Sequence, residues 1–401
     1  MLNDLNPLID FIATLITRFE ASYDKADRLF KALVRRRNFG QKERGIAMDA
    51  FYLYVRQQKK VHFFAMDNSP EAWAVSAYAL VTHQEAEFFP SSVQRWLALS
   101  VLEQAQLVQS YPLFWQQQIA TIFPETHEEV AHFLNGRAPI TLLVLTRRNS
   151  VAEVEQALLS QGLMVKRCDL SPLALKVEGR LSKEQTVFFD LQDESSQVMA
   201  FLPLPQACSV LDLCAGWGGK SVALGTAYPH LQIIASDIRL DMQAKIASRA
   251  NRAGVSVRWR TKNQLVKDKF DVVLVDAPCS GSGVWRRNPE DRYRIKASHM
   301  NTLIEQQLAL LLEAGRMVVA GGELIYITCS FTQQENEELV QTFLTKTKQF
   351  SLADAQERLV QALPWQNEAI AYHYEDGPYL RKKAVEGHGD LLFAAILKKQ
   401  G

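Results

Sequence analysis

The 401-residue sequence is poor in several features that would place it quickly. Five cysteines are too few for a disulfide framework in a chain this long, so a reducing, cytoplasmic setting is expected. No two cysteines form a C-x-x-C pair and no histidine cluster lies near one, so no metal is expected. No uninterrupted run of about 18 apolar residues exists, so no membrane span is expected. The first residues, MLNDLNPLIDFIATLITRF, carry Asp4 and Asp10 and lack a basic region, so no secretory signal is expected there. Charge of one sign is also missing. Forty-five Lys and Arg face 44 Asp and Glu, a net charge of +1 that announces no polyanionic partner but can conceal a local basic surface. Neither internal repeats nor low-complexity tracts occur, which argues against solenoids and disordered tails.

What is present is an ordinary globular composition, 47% hydrophobic and 22% charged, over a length that implies two or three domains. Residues 1–135 read as helical: apolar residues recur at three- and four-residue spacing, as in Leu29, Leu33, Ile46, Phe51 and Tyr54, with a turn at Asn38-Phe39-Gly40. Residues 136–200 change period. A strand over 141–146, a helix over 151–161, a strand over 173–177 and a helix beginning near QDESSQ (192–197) suggest a small α/β connector. Residues 201–401 alternate strand and helix. Strands are expected at 209–213, 232–236, 270–275 and 322–328, with helices at 218–228, 241–253 and 303–320. That alternation implies a parallel, doubly wound α/β sheet.

The chemistry concentrates in the third region. Cys214-Ala215-Gly216-Trp217-Gly218-Gly219-Lys220 forms a glycine-rich turn between a strand and a helix, where backbone can approach a ligand and free N–H groups can face it. A phosphate-binding loop would need glycine at Cys214, and a dinucleotide fingerprint is only partly met. An S-adenosylmethionine (SAM) site remains. Asp237 ends the next strand, where a carboxylate can accept from both hydroxyls of a ribose or simply cap the following helix. A later strand ends in Asp276-Ala277-Pro278-Cys279-Ser280-Gly281, and the next major strand ends in Thr328-Cys329-Ser330. Ligands of doubly wound sheets bind beyond the carboxyl ends of the strands, so Asp276, Cys279 and Cys329 should share a cleft. Two thiols there suit the activation of an unreactive ring carbon.

Two basic segments stand out. The first 60 residues hold 12 Lys and Arg against 7 Asp and Glu, including Arg35, Arg36 and Arg37 in succession. These are either a solvated helix end or a phosphate-binding patch. Trp285-Arg286-Arg287-Asn288-Pro289-Glu290-Asp291-Arg292-Tyr293-Arg294 interleaves arginines with aromatics, a pattern expected to grip phosphates and stack on bases, the alternative being a loop salt-bridged through Glu290 and Asp291.

These motifs together resemble the RsmB/Sun-type RNA cytosine-5 methyltransferases. The resemblance rests on VLDLCAGWGGK (210–220), ASDIRLDM (235–242), FDVVLVDAPCSGSGVWRRNPEDRYR (270–294) and GGELIYITCSFTQQENE (321–337), with QDESSQ and the terminal HGDLLFAAIL also similar. It spans about 185–399. A weaker resemblance in 26–56 is to the helical RNA-binding region of bacterial members. The resemblance implies a class I (Rossmann-like) methyltransferase domain, SAM as cofactor and RNA as partner. Ribosomal RNA is the expected substrate and transfer RNA the alternative, and a monomer is expected. It implies Cys329 as nucleophile, Cys279 as the residue assisting release, Asp276 as a contact of the target ring near N3, and Lys220 as a second contact of the base. Cofactor contacts are expected from residues 214–220, Asp237, Asn263 and Asp276, and RNA contacts from Arg35, Arg36, Arg37, Arg286 and Arg287. Two departures stand out: Trp217 replaces a proline or small residue, and Asn263 occupies the place of an aspartate that contacts adenine. A catalytically silent RNA-binding assembly factor is a different class of reading, disfavoured by the intact Asp276, Cys279 and Cys329. A DNA enzyme would leave Cys329 unexplained.

Overall fold

The computed structural model describes residues 2–22, 24–179, 181, 187–202 and 209–401. The chain divides into two compact units, one comprising Met1–Gly136 with Trp285–Ala297, the other Arg137–Val284 with Ser298–Gly401.

The first unit is helical. Its opening helix, Leu2–Ser22, buries Ile12, Leu15, Ile16 and Phe19, a stripe at three- and four-residue spacing. That stripe joins one core with Phe51, Tyr54 and Val55 of helix Gln41–Arg56 and Ala74, Ala77 and Tyr78 of helix Pro70–Thr82. Burying each large side chain contributes about 1.5–3 kcal/mol. The excursion 285–297 completes this unit. Trp285 is fully buried, 4.9 Å from the ring of Trp115 and 5.4 Å from that of Tyr111. The Tyr293 hydroxyl donates to the carbonyls of Val55 (3.1 Å) and Ser110 (3.2 Å).

The second unit holds two sheets. Strands β1 (Ile140–Val144), β2 (Met164–Arg167), β3 (Ala174–Glu178) and β4 (Phe189–Leu191) form an antiparallel sheet in the order β2-β3-β1-β4. The larger sheet contains β5 (Ser209–Asp212), β6 (Gln232–Ala235), β7 (Val257–Trp259), β8 (Phe270–Asp276), β9 (Val318–Thr328), β10 (Phe350–Ala353), β11 (Leu380–Arg381) and β12 (Phe393–Lys399). Its order is β10-β12-β9-β8-β5-β6-β7, with β11 pairing to β12. Strands β5 to β9 run parallel, while β12 runs antiparallel to β9 and β10. The interior of β8, Val272-Val273-Leu274-Val275, is apolar throughout because both faces of this sheet are covered.

The sequence places the helix before β9 at 303–320. In the structure that helix spans Ala297–Arg316, and Val318–Ala320 already belong to β9. β-branched Val318 and Val319 favour the strand, where Val318 pairs with Phe270. The chain passes from β5 outward to β6 and β7, then returns to place β8 on the other side of β5. This reversal opens a crevice at the carboxyl ends of β5 and β8.

Candidate active site

The turn after β5 lines one side of this crevice. Gly216 (φ +54°) and Gly218 (φ +77°) adopt left-handed conformations, and helix Gly219–Ala227 starts directly after them. A Cβ at Gly218 would meet the Ile246 side chain at 3.1 Å, a tight contact, and the positive φ itself favours glycine there. Asp237, at the adjacent strand end, is buried and fastens this turn: its Oδ2 accepts from the Gly216 amide at 2.9 Å. Arg239 closes on the same carboxylate through Nε (2.9 Å) and Nη2 (3.0 Å). Burial alone would raise the Asp237 pKa, but the hydrogen bonds from Arg239 and Gly216 outweigh it and hold the carboxyl below its usual range. The Arg239 side chain is itself largely exposed, so a ribose could take its place at small cost.

Beneath the turn lies Asp212, the last residue of β5. Its Oδ2 accepts from Ser221 Oγ at 2.6 Å, while buried Oδ1 has no hydrogen-bond partner among the described residues. Burial first, and the Asp276 charge in addition, push its pKa up to about 7 against the lowering effect of Ser221. Burial likewise lifts the Cys214 thiol to about 12, so it stays protonated at neutral pH.

Asp276 ends β8, and Lys220, in the first turn of helix Gly219–Ala227, reaches it with Nζ–Oδ2 at 2.6 Å. Burial would depress the lysine, but the charge and hydrogen bond of Asp276 keep its pKa raised. Next to this pair the sulfurs of Cys279 and Cys329 lie 3.3 Å apart. The hydrogen bond with Cys329, then burial, push the Cys279 thiol well above its usual range. The two cysteine loops also meet through backbone: Gly283 N donates to Cys329 O at 2.9 Å. A Cβ at Gly283 would sit 2.1 Å from the Leu391 carbonyl oxygen, so only glycine permits this approach.

Residues 199–397 match the family model described as 16S rRNA methyltransferase RsmB/F. Residues 111–183 match its RsmF/B-like, ferredoxin-like domain. The chain belongs to the RsmB/F methyltransferase family. It is 32% identical over 225 residues to a probable ribosomal RNA small subunit methyltransferase B of Bacillus subtilis, covering 52% of this chain and 50% of that one. It is 28% identical over 290 residues to the corresponding probable enzyme of Coxiella burnetii, covering 66% and 67%. The match thus spans about half to two thirds of the length of these curated relatives. Among solved structures it is similar in fold to PH0851 (TM-score 0.75, 21% identity, 98% of both chains). It is also similar to NSun6 from Pyrococcus horikoshii with SFG (TM-score 0.62, 17% identity, 73% of this chain and 99% of that one). A helical region followed by a Rossmann-like methyltransferase sheet is the fold.

The structure brings Lys220, Asp276, Cys279 and Cys329 together. Gly216, Gly218 and Asp237 share one hydrogen-bonded turn, and Asn263 lies exposed after β7, the strand beyond β6. Trp217 projects outward, 63% exposed, with the Lys245 ammonium 4.8 Å from its ring centroid. Together with Phe189, Leu191 and Arg249 it lines an open cavity away from the thiols. Arg35, Arg36 and Arg37 are exposed just after helix Ala26–Val34.

The segment 285–294 departs from expectation. Arg286 is only 2% exposed, its guanidinium 4.2 Å above the Phe133 ring. Arg292 is fully buried, stacked 4.5 Å from Tyr111 and donating to Asn135 Oδ1 at 3.0 Å. These side chains grip rings of the protein itself, so Arg286 is not the surface phosphate contact the sequence suggested; Arg287 is half-buried. Sequence reading also missed Asp212, Arg239 and Glu335. Each lies inside a motif already singled out, Glu335 within GGELIYITCSFTQQENE (321–337), and that position was the usable signal.

Proposed function

We propose that this chain transfers a methyl group from SAM to C5 of a cytosine in RNA, and that the RNA is small-subunit ribosomal RNA. The observation that carries this reading is the pair of thiols 3.3 Å apart at the ends of neighbouring strands, beside the Lys220–Asp276 pair. The names of the Bacillus and Coxiella relatives support a ribosomal substrate.

Cytosine C5 is a weak nucleophile. Addition of the Cys329 thiolate to C6 forms a C–S bond and shifts the ring electron pair toward C5, which becomes enamine-like and nucleophilic. Bound SAM supplies the electrophilic methyl group. Loss of the C5 proton then expels the Cys329 thiolate and restores the aromatic ring, a release in which Cys279 assists. Asp276 hydrogen-bonds the ring at N3 and favours its protonated form, which makes C6 more electrophilic, and Lys220 holds Asp276 in place while contacting the base. The target nucleotide must leave its stack to reach these groups. The Gly216–Gly219 turn and Asp237 hold the cofactor, with Asp237 taking the ribose hydroxyls in place of Arg239. Residues 1–135 act as the RNA-binding domain, with Arg35, Arg36 and Arg37 as phosphate contacts.

Bisulfite mapping of ribosomal and transfer RNA from cells with and without the gene tests this. One small-subunit cytosine should lose its protection in the deletion. A change confined to transfer RNA moves the substrate, and no change in any RNA overturns the reading.

A further inference from the structure

Glu335 is fully buried and takes no part in the chemistry derived above. Its carboxylate accepts from five groups. Oε1 receives the Ser280 amide (2.7 Å) and Gln307 Nε2 (2.9 Å). Oε2 receives the hydroxyls of Ser280 (2.6 Å), Ser330 (2.5 Å) and Thr332 (3.0 Å). Ser280 directly follows Cys279, and Ser330 directly follows Cys329. One carboxylate therefore ties together the two loops whose sulfurs meet. Gln307 Nε2 adds a bond to the Pro278 carbonyl (2.9 Å), on the other side of Cys279. No lysine or arginine pairs with Glu335 among the described residues. An unneutralised buried charge is costly, and a fold that only needed to join two loops could do so with neutral groups.

We propose that Glu335 is a positioning residue of this reaction: it clamps the two cysteine loops at contact distance, and its negative charge, bonded twice to Ser280 beside Cys279, favours Cys329 over Cys279 as the attacking sulfur. This rests on reading Cys279 and Cys329 as the reacting pair. The titratable groups that face Cys279 are Cys329, Glu335 and Tyr326 of β9, with the Lys220–Asp276 pair acting through Cys329. Of these, Glu335 is the carboxylate acting directly on Cys279. A negative charge held close to a thiol opposes a second one on its sulfur. The Cys279 thiol is pushed up first by its hydrogen bond with Cys329 and then by burial, and the Glu335 charge adds to them in the same direction.

Two substitutions separate clamp from charge. Glu335→Gln keeps size and reach, and because hydroxyls both donate and accept, those of Ser280, Ser330 and Thr332 can rotate to receive its amide. Glu335→Asp keeps the charge but shortens the reach. The full-length protein is treated with iodoacetamide across pH 6–9, a range spanning roughly the ordinary thiol pKa, and alkylation of each cysteine peptide is followed by mass spectrometry. This readout needs no RNA, so it stands apart from the failure of the methyltransferase reading. In the wild type Cys329 should be alkylated before Cys279 at neutral pH. Glu335→Gln, with an unchanged melting transition, should speed Cys279 alkylation by about tenfold or more by raising its thiolate fraction. Glu335→Asp should leave Cys279 slow. Equal Cys279 rates in wild type and Glu335→Gln overturn the proposal. So does a wild type in which Cys279 reacts first, an outcome that remains decisive even if Glu335→Gln fails to fold.

Discussion

The sulfur of Cys279 stands 3.3 Å from that of Cys329, although one cysteine follows β8 and the other follows β9. They become neighbours because β8 and β9 pair in parallel, with Asp276 opposite Ile327, so both strand ends open on the same side. At that distance either could meet a ring carbon, and geometry by itself does not divide the roles.

Covalent trapping separates them. With RNA and SAM, Cys329→Ala should give no methylation and no protein–RNA adduct on a denaturing gel. Cys279→Ala should also fail to turn over, yet accumulate a slow-migrating adduct held through Cys329. The reverse pattern would exchange the roles, and activity in both variants would remove the thiols from the mechanism.

Cofactor binding is checked without RNA. S-adenosylhomocysteine should raise the melting temperature, with about 2.7 kcal/mol of apparent stabilisation at 100 times Kd, whereas NAD and ATP should not. Asp237→Ala should weaken that binding at least about tenfold, roughly the loss of one charge-assisted hydrogen bond. Unchanged affinity would leave Asp237 as a fastener of the Gly216 turn alone.

The two groups of arginines should behave in opposite ways. Trp285→Ala should destabilise the helical unit by about 3–5 kcal/mol, because it empties a buried site. Arg286→Ala should cost about 2 kcal/mol through loss of a desolvated cation–π contact. Alanine at Arg35, Arg36 and Arg37 together should leave the melting temperature in place but lower RNA affinity, with a shallower dependence on salt. Calorimetry and filter binding over a salt series distinguish the two.

Asp212 gives stability a pH dependence. Its folded pKa is near 7, above the ordinary value of 3.8, so the folded state binds the proton more tightly than the unfolded chain. Its contribution is complete below about pH 4 and is lost as pH rises toward 7, at roughly 1.4 kcal/mol per pH unit. Asp212→Asn should therefore add on the order of 2–4 kcal/mol at pH 8 relative to its effect at pH 4. Melting temperatures of both proteins from pH 4 to 8 measure this, and a constant difference would refute it.

The parallel strands β5, β6, β8 and β9 and the strand-end positions of Asp237, Asp276, Cys279 and Cys329 could be read from local sequence, because apolar periodicity and glycine turns are short-range properties, whereas the antiparallel edge β10–β12 could not. The start of β9 was misplaced because Val318–Ala320 continue an apolar pattern that either a helix or a strand can use. The destination of 285–297 was not legible. Arginines alternating with aromatics look the same whether the rings they meet are bases or Phe133 and Tyr111, and only long-range packing places those rings. Glu335 reads in sequence as one more charge in a helix-leading QQENEE stretch. Its role arises from strand pairing that gathers Ser280, Gln307 and Ser330 around it, residues separated by as much as 55 positions in the chain. Local periodicity therefore determined the elements and their reactive ends, while tertiary structure decided which charges face solvent and which are buried, because burial depends on neighbours far apart in sequence.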